Sequence, residues 1–469
     1  MRYLALILAA LTTAEMQAYE LSPRLVVNIT IDQLRSDYME AFNSFYSANG
    51  FKRLLEQGVV YDGASYPFVP IDKSSATASI STGTTPFYNG IIGDNWLDRT
   101  SLQPTGSVEG GKNYHSPDKL KTSTIGDELK VSSQGKAIVY SFAAESNAAI
   151  LLAGHSADGA YWLGSNGLWT TSGYYTKSIP KWVKDYNTEY QRLSGKRKFY
   201  GNNDNVVDMA LAAITSNQMG ADDVPDYLSV TLSAAKKDEK SDGDWQKDMG
   251  GIYQELDYAI GRLVNAIEKR VSLDKVMFVV TSTGYMEEKP SDLSRYRIPT
   301  GTFYINRTAN LLNMYLGAVY GSGRYVEQEY GNEIYLDRRL IEQKRISMSE
   351  LLSRSQEFLL QSAGVADVYT SQRLNSGNND ILKIRSGYNP TLSGDIIINV
   401  APGWRLLNED TGQTFMSRAS IVPFPIIFFG ASLAHERVST PVTVDRIAPT
   451  IAKTIRIRAP NACTAAPLF

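Results

Sequence analysis

The run DYLSVTLS (226–233), followed by GGIYQELDYAIGRLVNAIEKRV (250–271) and KVMFVVTST (275–283), decides the fold. The outer pieces are apolar and β-branched, and have the length of buried strands. The middle piece puts Ile252, Leu256, Ile260, Leu263, Val264 and Ile267 at helical spacing. Strand, helix and strand in this order predict a right-handed crossover and an α/β sheet. RLVVNITID (24–32) is a run of the same kind, and it ends on Asp32. A buried parallel strand delivers a carboxylate to the C-terminal edge of its sheet in this way. KAIVYSF (136–142) reads as a further strand, and DIIINVAPGW (395–404) and FPIIFFG (424–430) as late ones. Helices are expected in 36–58, broken at Gly50, and in 347–365, where Ser347 and Glu350 form a capping pair. A closing helix in 445–455 is expected to be interrupted at Pro449.

Composition narrows the classes. The chain has 469 residues, 43% hydrophobic and 20% charged, with a formal net charge of -2. It is globular, and no basic surplus or Lys/Arg tract points to nucleic acid. Arg2 followed by YLALILAALTTA (3–14) and a small residue at Ala18 predicts a signal peptide over 1–18 and export from the cytoplasm. The remainder, 19–469, is expected as one domain, with insertions capping the sheet at about 113–202 and 290–385. No later apolar run reaches transmembrane length. A single cysteine, Cys463, excludes an intramolecular disulfide and a four-cysteine zinc site.

Several longer stretches carry a family resemblance: IDQLRSDY (31–38), GFKRLLEQGVVYDGASYPFVP (50–70), STGTTPFYNGIIGDNW (81–96), LLAGHSADGAYWLGSNGLWTTSGYY (151–175), ADVYTSQRL (366–374) and DRIAPTIAKTIRIRAPNAC (445–463). Together they resemble the alkaline phosphatase superfamily, in its periplasmic, phosphate-irrepressible branch from Bacteroidetes. The resemblance runs from about Leu25 to the C-terminus. It implies an α/β sandwich with a central, mostly parallel sheet flanked by helices and cap insertions. It also implies two zinc ions held by aspartates and histidines, and a Thr or Ser nucleophile.

Carried over residue by residue, the resemblance meets a different set of side chains. Asp32 matches the first metal ligand. Lys73 stands at the nucleophile position, with the hydroxyl of Ser74 one residue on. Lys236 and Lys240 fall where an Asp and a His ligand belong, and Ser282 and Thr283 where an adjacent Asp-His pair belongs. Thr414 or Phe415 replaces the last histidine. Glu145 and Asn147 replace the Lys and Arg of the phosphate clamp, and Asp94 replaces an Asn. A protonated lysine has no lone pair for a metal. The whole chain has three histidines, His115, His155 and His435, in no ligand-like spacing.

These replacements predict a catalytically inactive protein without zinc or another cofactor, in which Lys73 or Lys236 pairs with Asp32. Its function is then expected in binding, as a structural or binding subunit of a periplasmic or outer-membrane protein assembly. Trp162, Trp169, Tyr174, Tyr175 and Trp182 are candidate interface aromatics. The alternatives are a phosphatase, phosphodiesterase or sulfatase-like hydrolase with a rebuilt site, and a small-molecule or glycan binder using the cleft. A Ser74–Lys73 pair, with the lysine as base, is disfavoured, because adjacent residues on an extended segment face opposite ways.

Overall fold

A computed structural model describes residues 22–111, 114–194, 202–235, 245–287, 297–376, 381–416 and 419–469. The expected signal peptide, 1–18, lies outside them, as do Lys236 and Lys240. A ten-stranded mixed sheet runs through the centre. Its strands are β1 (Leu25–Asp32), β2 (Val59–Ser65), β3 (Val139–Ala143), β4 (Gly159–Leu163), β5 (Trp169–Thr170), β6 (Asp226–Ser233), β7 (Val276–Ser282), β8 (Phe424–Gly430), β9 (Glu436–Val438) and β10 (Val442–Thr443). The order is β9-β2-β8-β7-β1-β6-β3-β4-β5, with β10 also on β2.

β1 sits between parallel neighbours, with Leu25 opposite Asp226 on β6 and Val276 on β7. All eight of its residues are buried, so both of its faces are covered. Val27, Ile29 and Ile31 pack on the face covered by the helix Trp245–Glu268, through Leu256, Ile260, Leu263 and Ile267. That helix supplies the crossover read from the sequence. Val26 points to the opposite face, with Val139, Tyr227, Met277 and Val279. By the strand's two-residue period, Asn28, Thr30 and Asp32 share this second face.

Two short helices lie over that face, Lys73–Thr82 and Ser146–Ala153, here α1 and α2. Every residue of α1 after Lys73 is buried, and all but Ile80 are Ser, Thr or Ala. Such small side chains let the helix backbone approach the sheet closely. The closing helix, Ile447–Thr454, is not interrupted at Pro449. Pro449 falls in its first turn, where the missing N–H had no helical partner to lose.

A second, antiparallel sheet has the order Val326–Tyr330, Glu333–Leu336, Ile396–Val400, Val365–Thr370. It shares an apolar core with the helices Ile305–Tyr320 and Met348–Leu359. The late strand in 395–404 therefore belongs to this cap and not to the central sheet. Asp395 ties the cap to the body. Its buried carboxylate accepts from Arg338 of the cap and from Arg99, on the hairpin after Trp96. The stretch 113–202, expected as an insertion over the sheet, instead contains β3, β4 and β5 of the sheet itself. Its aromatics pack inward: Trp162 and Trp169 are buried, and Trp182 stacks edge-on against Tyr140 and Tyr161. Trp162 and Trp169 are therefore taken up by the fold's own packing, while Tyr174, Tyr175 and Trp182 are half-buried.

Candidate functional site

The site forms where β1 ends under the N-terminus of α1. Asp72 is the N-cap, accepting the Ser75 backbone N–H at 2.9 Å, while the Ser75 hydroxyl accepts from the Asp72 N–H at 3.0 Å. This reciprocal box starts the helix at Lys73 and fixes the direction of its first turn. Lys73 and Ser74 are thus helical neighbours. They diverge around a helix rather than across an extended chain, as the sequence reading assumed.

Lys73 reaches Asp32. Its Nζ lies 3.2 Å from Asp32 Oδ2, and 2.8 and 2.9 Å from the two Glu145 oxygens. The other Asp32 oxygen accepts from the Thr283 hydroxyl at 2.9 Å. Ser282, beside it, turns its hydroxyl to the Leu34 carbonyl at 2.9 Å. Burial pushes the Asp32 carboxyl above the usual carboxylate range, against the pull of Lys73 and Thr283. At Lys73 burial pulls down, but the charges of Asp32 and Glu145 win and raise the ammonium above an ordinary lysine. The two outcomes are consistent. The lysine has two carboxylates and its side chain is 18% exposed, whereas the aspartate has one ammonium and is 4% exposed.

Ser74 belongs to a second network. Its hydroxyl donates to Asp94 Oδ1 at 2.5 Å and lies 2.9 Å from the Ser107 hydroxyl. Asn147 donates to both Ser74 Oγ, at 3.1 Å, and Asp94 Oδ1, at 3.2 Å. The Asp94 N–H donates in turn to Asp72. Burial, then the neighbouring charge of Asp94, pushes the Asp72 carboxyl up to about 7. Asp72 escaped the sequence reading, although Asp-Lys-Ser-Ser is an N-cap signal with its partner three residues on.

Two cavities flank these networks. One, of about 230 Å³, is lined by Asp32, Lys73, Glu145, Asn203, Thr231 and Ser233. The other, of about 360 Å³, lies towards the cap and is lined by Asp72, Asp94, Trp96, Tyr330, Thr414 and Phe415. The structure thus brings Asp32, Lys73, Glu145 and Thr283 together and places Asp94 and Asn147 next to them. Thr414 and Phe415 line the neighbouring cavity instead. None of the three histidines lies in either site. His155 is held between Asp127 and the Leu120 carbonyl, His435 meets the Gly58 carbonyl, and His115 packs edge-on against Trp162.

The donor set among the described residues does not fit a two-zinc centre. Among the described residues no group of three or more His, Cys, Asp or Glu side chains is gathered as a metal requires. At the end of β1, Asp32 faces an ammonium and hydroxyls. Among the described residues Asp32, Asp94 and Glu145 outnumber Lys73, an imbalance that repels a phosphate dianion.

A mixed sheet flanked by helices, with its polar cleft at the C-terminal end of the central strand, defines an alkaline-phosphatase-like α/β fold. A profile described as "Type I phosphodiesterase / nucleotide pyrophosphatase" matches residues 26–420, and the chain belongs to that family. It is 25% identical to alkaline phosphatase PafA of Elizabethkingia meningoseptica, over 95% of this chain and 94% of that protein. It is also 25% identical to alkaline phosphatase PhoV of Synechococcus elongatus, over 94% and 91%. The crystal structure of wild-type PafA superposes with a TM-score of 0.79 at 23% identity, covering 95% of this chain and 98% of that one. These relatives overturn the expectation that the chain is not an enzyme. They are alkaline phosphatases matched over nearly the whole chain, and the family they share is enzymatic.

Proposed function

We propose that this chain serves as a binding or structural subunit of a periplasmic or outer-membrane assembly, built on the phosphatase fold. The observation that supports this reading is Lys73, held between Asp32 and Glu145 at 3.2 and 2.8 Å. The ammonium between these carboxylates is the chain's own, and the whole α/β body is kept around it. Arg2 and the apolar run after it support export. Among the described residues no helix is long and apolar enough to cross a membrane. The test is gentle solubilisation of the native envelope with a tagged full-length chain, followed by sizing and identification of what co-elutes. A stoichiometric envelope protein, retained when Lys73→Met alters the cleft, is the expected result. Elution of the chain alone, under conditions that preserve other envelope complexes, overturns the reading.

One observation favours a second reading, hydrolysis by a rebuilt site. The Ser74 hydroxyl donates to Asp94 and accepts from Asn147, so a carboxylate is in place to take its proton. The family and its alkaline phosphatases support the same direction. Purified chain assayed on phosphate monoesters, phosphodiesters and sulfate esters tests this reading. Turnover removed by Ser74→Ala is its expected result, and no turnover on any of them overturns it.

A further inference from the structure

Away from the cleft, one histidine joins three elements. His155 follows the C-terminus of α2, Asp127 lies in the first turn of the helix Ile125–Ser132, and Leu120 lies in the loop before that helix. His155 Nδ1 is 3.0 Å from Asp127 Oδ2, and its Nε2 is 3.0 Å from the Leu120 carbonyl oxygen. Asp127 also accepts the backbone N–H groups of Thr124, His155 and Ser156, at 2.9, 2.8 and 2.7 Å. Burial pushes its carboxyl up, but the bonds from His155 and the backbone outweigh burial and hold it below the usual carboxylate range. A carboxylate and a carbonyl only accept, so both ring nitrogens must donate, and an imidazole with two N–H groups is a cation. The bond to Asp127 raises the ring above an ordinary histidine, against its partial burial. Asp118 adds a further negative charge beside the ring. Burial keeps the phenols of Tyr174 and Tyr175 protonated. Next along the helix, Glu128 is paired with Arg458. On the loop, Lys119 turns to the Gly106 carbonyl and Lys121 to that of Asp118.

We propose that His155 is a pH-sensitive latch, which as an imidazolium ties the loop 116–122 to the end of α2. A neutral ring has one N–H, so one of its two contacts becomes lone pair against lone pair. Asp127, the charged acceptor, keeps the remaining N–H, and the Leu120 carbonyl is released. Leu120 is buried, so its freed carbonyl must draw in water, and the loop loosens to admit it. The raised histidine fixes the sign: the latch is closed below the folded-state value of the ring and opens as pH rises through it. It sits at the far end of the helix whose N-terminus follows Glu145 and carries Asn147. The latch serves either reading of function.

The test follows the His155 ring by nitrogen NMR, and the loop 116–122 by hydrogen exchange corrected for its intrinsic pH dependence, from about pH 5 to about pH 9. His115→Gln and His435→Gln remove the signals of the other two rings. The His155 ring is expected to titrate above about 6.5, the value of a free histidine. Protection of the loop is expected to fall at least about fivefold through that titration, as a charged hydrogen bond is lost. The strand Leu25–Asp32 should keep its protection, and His155→Gln should show no such fall. A ring that titrates at or below the ordinary value overturns the proposal. So does loop protection that stays flat through the titration, or that falls equally in His155→Gln. The first two results need only the chain with His155 in place, so they decide the matter even if His155→Gln does not fold.

Discussion

Lys73 occupies the first position of a helix, where the positive end of the helix dipole disfavours a cation. Two carboxylates outweigh that penalty, so the residue is held by its partners and not by its helix. Asp32→Ala leaves Lys73 with Glu145 alone, whose side chain is 57% exposed. Losing one member of a buried pair costs about 3–5 kcal/mol, and the low end is expected here because Lys73 keeps a solvated partner. A urea unfolding curve checks this, and a midpoint equal to the wild type's rejects it. The raised ammonium also fixes a sign. Its contribution is complete below the unfolded lysine value, about 10.4, and is lost as pH climbs through the higher folded value. The wild type should therefore lose more stability above about pH 10 than Lys73→Met does. Asp32 was legible in the sequence because a β-branched run ended on it. Its pairing with Lys73 was legible only through family position, since 40 residues of chain lie between them.

At the scale of the element, α1 depends on Asp72. The side chain caps the helix, yet it is buried beside Asp94 with its carboxyl pushed up to about 7. The folded state thus holds this proton more tightly than the unfolded chain, whose value is about 3.9. Stability from this group is full below about pH 4 and is lost as pH rises to about 7. Asp72→Asn keeps an acceptor for the Ser75 N–H and removes the titration, so its stability should be flatter over that window. Asp72→Ala removes the cap and should cost about 1 kcal/mol. Urea midpoints at pH 4, 5.5 and 7 for the three proteins separate these outcomes. The strands and the long crossover helix were legible because period and length distinguish them. Membership of a sheet was not. The run 396–400 has the same apolar, β-branched character as β1 but pairs in the cap. Only contacts distant in sequence assign it there.

For the whole molecule, a buried carboxylate joins the body to the cap. Asp395 is 2% exposed and receives Arg99, Arg338 and the Leu336 N–H. Asp395→Ala leaves two guanidinium groups without their common partner and should cost about 3–5 kcal/mol, felt first where the cap joins. Limited proteolysis is expected to cut the cap faster in this variant while the central sheet stays protected. Uniform cutting of body and cap would reject that division. The fold class itself was legible early, because one strand-helix-strand run implies the layered sheet. The division of 113–202 between sheet and cap was not, since β4 and β5 are short and rich in aromatic residues.

The aromatic end of that sheet gives the protein an optical label. Trp169 and Trp182, two of the chain's six tryptophans, pack edge-on against Phe142, whose ring stacks on that of Tyr161 at 5.5 Å. Indoles packed this way emit in the blue and are shielded from acrylamide. Tyrosines 140 and 161 lie close enough to pass excitation to them. If this edge opens on its own, the emission shifts to the red while the far-ultraviolet dichroism of the remaining strands and helices persists. Fluorescence followed through a denaturant titration thus reads one end of a ten-stranded sheet separately from its centre.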